Sequence, residues 1–273
     1  MTDWIGRDLT TVAFCWRLDR RDGAALGFTT HDRDLEIGGL AYRSAPGMLP
    51  SSISLSDGFE VDTLDIAGAL TSDAIREEDL AAGRWDGARV RLFAVDWADP
   101  EGMPLHLTRG ELGEISIRDG AFTAELAGPT AMLDRPVVEY TSPECRAELG
   151  DRRCRIDMAG RRRLTRLADV DADGRLRVAA AGTGAPDAHG YGRLRWIDGA
   201  NAGLSSAILS SAGDWLTLRE APPYPIAAGL IVEIAEGCDK SLATCAGRFG
   251  NAANFRGEPW LPGNDILTRY PGA

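Results

Sequence analysis

Lys240 is the only lysine among 30 basic side chains, and His31, His106 and His189 are the only histidines in 273 residues. The arginine excess is consistent with codon bias. No apolar run approaches the ~18 residues that mark a membrane-spanning helix, so this chain is not expected to insert in a membrane. Met1-Thr2-Asp3-Trp4 has neither a basic n-region nor an apolar h-region, so no secretory signal is expected. There is no Gly-x-Ser-x-Gly, no His-Glu-x-x-His and no phosphate-binding Gly-rich loop, which removes the usual hydrolase and nucleotide-binding signatures. Basic charge is also in deficit. A formal net charge of −11 argues against a general nucleic-acid binder, because phosphates need a basic footprint. An acidic surface serves solubility, and it would also let DNA slide through a conduit without sticking.

What is present reads as β structure. Apolar residues make up 44% and charged residues 26%, as in ordinary globular chains. The length predicts about two domains. The 32 glycines sit between short apolar runs, as turns do in a β-rich fold. Val12, Phe14, Trp16 and Leu18 alternate at period two, the pattern of a half-buried strand. Leu26 with Phe28, and Ile53 with Leu55, repeat it on a smaller scale. Residues 112–126 read as a hairpin, with Asp119-Gly120 as the two-residue turn whose positions both need positive φ. A helix is predicted over 72–82, N-capped by Thr71 or Ser72, stopped by Gly83 and buried through Ile75 and Leu80. A strand follows at 89–97, and a helical turn is expected at 130–135. Residues 136–160 read as a linker, 161–236 as a second β region that ends in the strand Leu230–Ile234, and 246–273 as an irregular tail.

Five cysteines occur, and four form two close pairs: Cys145 with Cys154, eight residues between them, and Cys238 with Cys245, six between. In a reducing compartment a metal site is the leading reading of such pairs. Zinc knuckles mostly use two to four intervening residues. A cubane iron–sulfur cluster has corners farther apart and tolerates wider spacing. Spacing alone leaves both open, with structural disulfides and unrelated buried cysteines behind them. Cys15 lies in an alternating apolar run and reads as a small buried hydrophobe. Eight arginines crowd the first pair, at 146, 152, 153, 155, 161, 162, 163 and 166, against Glu148, Asp151 and Asp157. They could offset a negatively charged cluster, dock on an acidic neighbouring subunit, or form a solvated loop. Asp169-Val-Asp171-Ala-Asp173-Gly174 opens like a calcium loop, but Ala180 stands where the acidic twelfth residue belongs. A β-turn is the better reading. His31 with Asp32 and Asp34 reads as a turn in which a carboxylate caps backbone N–H groups.

The stretch Gly237-Cys238-Asp239-Lys240-Ser241-Leu242-Ala243-Thr244-Cys245 runs on to Arg248-Phe249-Gly250-Asn251 and to Asn254-Phe255-Arg256-Gly257-Glu258-Pro259-Trp260-Leu261-Pro262-Gly263. It resembles the C-terminal signature of a phage tail-tip protein family that includes the hub proteins of gene transfer agents. Gly27-Phe28-Thr29-Thr30-His31-Asp32-Arg33-Asp34-Leu35 resembles that family as well. The resemblance implies a mainly β chain. Tail-tube-like β-barrel or sandwich domains would occupy 1–135, holding two similar tube-forming modules. A discontinuous cluster domain would combine 136–160 with 237–273 around an inserted β module at 161–236. It implies a non-enzymatic baseplate hub that caps the tail tube as a homotrimer. The partners implied are the distal tail protein ring above and a fibre-bearing lower tip protein below, with transient DNA passage through the lumen. The implied location is the virion tail tip, assembled in the bacterial cytoplasm. By the same resemblance to the tail-tip L protein of lambda-like phages, Cys145, Cys154, Cys238 and Cys245 would ligate a [4Fe–4S] cluster, with zinc as the alternative. The long interval between the pairs departs from the lambda-like pattern. The competing class is an enzyme, either an iron–sulfur redox protein or a zinc-dependent hydrolase.

Overall fold

The computed structural model describes residues 4, 6, 10–44, 49–50, 63–69, 75–118, 121–128, 138–179 and 186–261. The chain divides into two compact units, 1–137 and 138–273. Both are β structures, in keeping with the mainly β class read from the sequence.

The first unit carries a nine-stranded sheet. Its strands are β1 (Val12–Asp19), β2 (Ala25–Thr29), β3 (Leu35–Ile37), β4 (Leu40–Ser44), β5 (Leu49–Pro50), β6 (Thr63–Ala69), β7 (Arg89–Asp96), β8 (Leu105–Arg118) and β9 (Ala121–Ala127). Their spatial order is β3-β4-β2-β1-β7-β8-β9-β6-β5. The described strands form one continuous ladder. Strand β8 is the reason. It is 14 residues long, so its first half pairs with β7 and its second half with β9. The register of β8 with β9 sets Arg118 opposite Ala121 and Ile117 opposite Phe122, as the predicted hairpin requires. The turn residues Asp119 and Gly120 lie outside the described residues, as do Ile53, Leu55 and the expected helical turn at 130–135.

Strand β1 corrects the half-buried expectation. Trp16 and Leu18 face one core, with Phe28, Val90, Leu92, Leu112 and Leu126. The alternate positions Ala13 and Cys15 join a second core, with Leu35, Tyr42, Phe93 and Val95. Phe14, expected inside, is 37% exposed. The sheet is therefore covered on both faces along β1. Cys15 is fully buried, and its thiol reaches Thr29 Oγ1 at 3.5 Å. Burial pushes the thiol pKa up, as expected of an inert packed cysteine. Helix α1 spans Glu77–Ala81 and Gly83 follows it at φ +70°. Leu80 is its buried residue, Ile75 just before it joins the same core, and the expected cap at Thr71 or Ser72 lies outside the described residues.

The second unit holds a closed six-stranded barrel, ordered β10-β11-β14-β13-β12-β15. The strands are β10 (Arg162–Val170), β11 (Leu176–Val178), β12 (Arg193–Trp196), β13 (Ser205–Ala212), β14 (Trp215–Leu218) and β15 (Ile231–Ala235). Leu167, Leu176, Val178, Leu194, Trp196, Ile208, Leu216, Val232 and Ile234 fill it. Two strands turn the corners. Strand β10 pairs first with β15 and then, past a bulge at Leu167, with β11, while β13 passes from β12 to β14. Such bulges bend a sheet enough to close it. Of the Asp169–Gly174 stretch, Asp169 and Val170 end β10, and 171–174 form the expected β-turn into β11, closed by the Gly174 N–H donating to the Asp171 carbonyl at 3.1 Å. The Asp171 carboxylate accepts from the backbone N–H groups of Asp173 and Arg175 and pairs with the Arg175 guanidinium at 2.7 Å.

Candidate metal centre

The barrel brings the two cysteine segments together. Its first strand begins at Arg162 and its last ends at Ala235, and these residues are direct partners in the ladder. The Glu236 N–H continues the pairing to the Arg161 carbonyl at 2.9 Å. The chain entering the barrel from Cys154 and the chain leaving it for Cys238 thus run side by side. An interval of more than 80 residues separates the pairs in sequence, yet both its ends are pinned by one pair of strands.

Around that junction, irregular backbone is held by specific bonds. The Cys145 N–H donates to the Lys240 carbonyl at 2.9 Å, and the Arg146 N–H to the Arg256 carbonyl at 3.0 Å. The Arg146 guanidinium grips both oxygens of Glu258, at 2.6 and 2.9 Å, and the Ser142 N–H adds a third bond at 2.9 Å. The guanidinium and the Ser142 N–H together hold the Glu258 carboxyl down at about 2. Asp151 ties the loop between Cys145 and Cys154, accepting from the Glu148, Arg153 and Cys154 N–H groups. These bonds, that from Cys154 foremost, keep its pKa low. Helix α2 (Leu242–Gly247) starts at Ser241, whose hydroxyl accepts from the Thr244 N–H, and carries Cys245.

The four paired cysteines line one cavity. Its wall is otherwise largely apolar, from Ala147, Leu149, Ile156 and Phe249, with Lys240, Asn251 and Asn254 as polar members. All four are free thiols in the structure. The Cys245 thiol is pushed up first by burial and then by Cys145, Cys238 and Cys154, so all four sulfurs are electrostatic neighbours. Burial raises Cys238 as well, against the opposing Lys240 N–H bond. Among the described residues, no three Cys, His, Asp or Glu side chains converge as the ligands of a single ion would. The sulfurs surround a shared space instead.

The donor chemistry fits a thiolate-ligated group. N–H donors reach three of the sulfurs: Arg256 N–H to Cys145 at 3.3 Å, Asn251 Nδ2 to Cys154 at 3.7 Å, and the Lys240 N–H to Cys238. Such bonds favour the charged form of the sulfur. Asn251 is also a clasp. Its side chain donates to the Cys154 carbonyl at 2.7 Å, its N–H donates to the Cys245 carbonyl at 2.9 Å, and its Oδ1 accepts from Asn254 at 2.7 Å. It is one residue joining both cysteine pairs. Nothing in the cysteine spacing marks it out; the only signal is its place in the polar run after Cys245.

The arginines near the first pair divide by role. Arg146 and Arg153 pair with Glu139, and Arg146 also with Glu258. Arg161 and Arg248 share Glu236, at 2.6 and 2.7 Å, and both lie over the Phe249 ring. These four bind the cysteine segments to one another and to the barrel. Arg152, Arg155 and Arg162 are exposed. No histidine is among the described residues that line the cysteine cavity. His31 accepts the Arg33 N–H and lies 5.2 Å from the Trp97 ring, while Asp34 caps the Ser44 N–H at 2.8 Å. His106 lies against Phe93, and His189 is buried beside the barrel. Among the described residues no helix is long and apolar enough to cross a membrane.

Comparison with known proteins accounts for both units. A family model described as the N-terminal attachment domain of a baseplate hub protein matches residues 1–157. A second, described as phage conserved hypothetical protein BR0599, matches residues 187–265. A chain in the solved virion of a native gene transfer agent particle is 41% identical, with a TM-score of 0.85, over 99% of this chain and 94% of that one. No curated protein matches. By the breadth of the first family match and the identity to the virion chain, this protein belongs to the baseplate hub family of phage-like tails.

Proposed function

We propose that the chain is a structural hub in the tail of a phage-like virion, where it assembles with other tail and baseplate proteins. The likeness to a virion chain over nearly the whole length of both carries this reading. In finer terms, the hub is a homotrimer that caps the tail tube, joins the distal tail protein ring to the lower tip and leaves a lumen for DNA. Its role is mechanical rather than enzymatic, with residues 1–135 as the tube-forming part and 161–236 as a module inserted in the cluster domain.

Cys145, Cys154, Cys238 and Cys245 hold one [4Fe–4S] cluster in this reading. The single supporting observation is that four thiols from two distant segments line one largely apolar cavity. Gaps of eight and six residues are wider than the two to four usual at one tetrahedral zinc, which favours a cluster. Bound there, the cluster supplies four iron–thiolate bonds that cross-link the segments flanking the barrel. The protein supplies the N–H donors to sulfur, a wall that limits water, and the ion pairs of Arg146 and Arg161 that hold the segments in place. Protein purified without oxygen is expected to be brown, to absorb broadly near ~400 nm and to carry about four irons per chain. Cys245→Ser is expected to lose the iron and to loosen the residues after 245 while leaving the first unit folded. Colourless protein with one zinc would decide for zinc, and two disulfides without metal would reject both.

A further inference from the structure

The charge of the chain is unevenly divided. Residues 1–137 hold 24 acidic and 13 basic side chains, and residues 138–273 hold 17 of each. The whole net charge of −11 therefore belongs to the first unit. Within the neutral second unit, one wall of the barrel concentrates arginine. Leu194, Trp196, Val232 and Ile234 fill the interior, so the alternate residues of β12 and β15 face outward. On that outer side Ala235 is flanked by Arg162 on β10 and Arg193 on β12, and in the next row Glu233 is flanked by Leu164 and Arg195. Arg162, Arg193 and Arg195 are exposed. Unlike Arg146, Arg153 and Arg161, none of the three is ion-paired among the described residues. Glu233 is the one acid in these two rows, and Arg166, one row further on, is spent on the Gly229 carbonyl.

Leu164, in the middle of this wall, is 65% exposed, and Leu209 on the adjoining strand β13 is 46% exposed. Small residues, Ala207 and Ser205, lie opposite Arg193 and Arg195. Exposed arginines beside exposed large aliphatics suit a protein surface, where arginine is enriched. Phosphate binding draws on a broad basic footprint, which a chain of net charge −11 does not offer.

We propose that this arginine wall docks on the acidic first unit of a second copy of the chain. The argument for that occupant is charge complementarity. The first unit carries the full acidic surplus, with Glu77, Glu78, Glu111, Glu114 and Glu125 exposed. The contact is head-to-tail, the kind that closes a ring when the rotation per subunit allows it. The inference rests on the hub reading above and adds the surfaces by which the copies meet.

The single lysine makes a clean test. Arg162→Lys, Arg193→Lys and Arg195→Lys variants, made singly, keep the charge and place an amine on the wall, against a background of Lys240 and the α-amino group. Assembled particles are treated with a zero-length carbodiimide, and cross-linked peptides are identified by mass spectrometry. The expected result is a hub–hub band on a denaturing gel, absent from wild type, joining the introduced amine to a carboxylate in 1–137. A triple charge reversal, R162E/R193E/R195E, is expected to be lost from particles while its barrel melts as in wild type. Bonds only to another particle protein, or full incorporation of the triple reversal, would overturn the inference and leave the hub reading standing. Duplex DNA captured by the purified wild-type protein and released by the triple reversal would assign the wall to nucleic acid instead. Absence of the wild-type chain from particles would refute the hub reading itself.

Discussion

Single residues hold the cysteine centre together as much as the cysteines do. The Arg146–Glu258 pair, two guanidinium bonds backed by the Ser142 N–H, ties the segment before Cys145 to the segment after Cys245. Glu258 is partly exposed, so solvent and salt weaken the pair. Its pH signature is still definite. The carboxyl titrates at about 2 in the fold against an ordinary 4.5. A depressed carboxyl stabilises the fold above its unfolded pKa, and that contribution is lost as pH falls through the folded value. Glu258→Gln should therefore melt below wild type at pH 7, with the difference closing between 4.5 and about 2. Thermal melts at stepped pH check this; a gap that does not change with pH would remove Glu258 from the clamp. Asn251 acts at the same scale, since it contacts Cys154 and Cys245 at once. Neither residue was legible as a fastener from the sequence, because each depends on a partner about a hundred positions away.

At the scale of elements, long strands shared between neighbours shape both units. Strand β8 pairs along its halves with β7 and β9, and β10 turns from β15 to β11. Alternation and Asp-Gly turns announced these strands but not their sharing, which is a matter of register and bulges. Strand β1 shows why burial was misread. Its period-two pattern marked one face, and the small residues Ala13 and Cys15 on the other face are equally buried. Glycine matters where the barrel hands the chain to the cysteines. A Cβ at Gly237 would collide with the Gly190 carbonyl and the backbone of Gly192 and Tyr191. Backbone cannot give way as a flexible side chain does. Gly237→Ala should cost about 1–3 kcal/mol, the usual range for overpacking a tight site. Denaturant unfolding should register that loss in the second unit, with the first unchanged; a silent substitution would show that the junction has slack.

For the molecule as a whole, two units with separate cores predict separable unfolding. Removing the proposed cluster with a chelator and an oxidant should expose amides in 138–160 and 237–261 to hydrogen exchange. The barrel strands should stay protected, because nine apolar side chains fill them independently of the cysteines. Equal loosening of barrel and loops would mean that the centre and the barrel fold as one. A metal site that staples short irregular segments contributes folding free energy where burial is scarce, and the described residues after Cys245 hold only the end of α2 and a single 3-10 turn.

The sequence by itself determined the mainly β class, the hairpin after β8, the buried role of Cys15 and the pairing of the four cysteines into two groups. Each of these follows from local spacing: period-two alternation, a turn dipeptide, an apolar neighbourhood, a short gap between thiols. The tertiary structure decided what local spacing cannot reach. It decided that the strand entering the barrel and the strand leaving it are partners, which sets Cys145 and Cys154 beside Cys238 and Cys245 despite the interval between them. It also decided which arginines are consumed in ion pairs and which are exposed on the barrel wall. Closing a loop costs free energy that grows only with the logarithm of its length, so a folded insertion can separate ligands widely along the chain and still return them to one site.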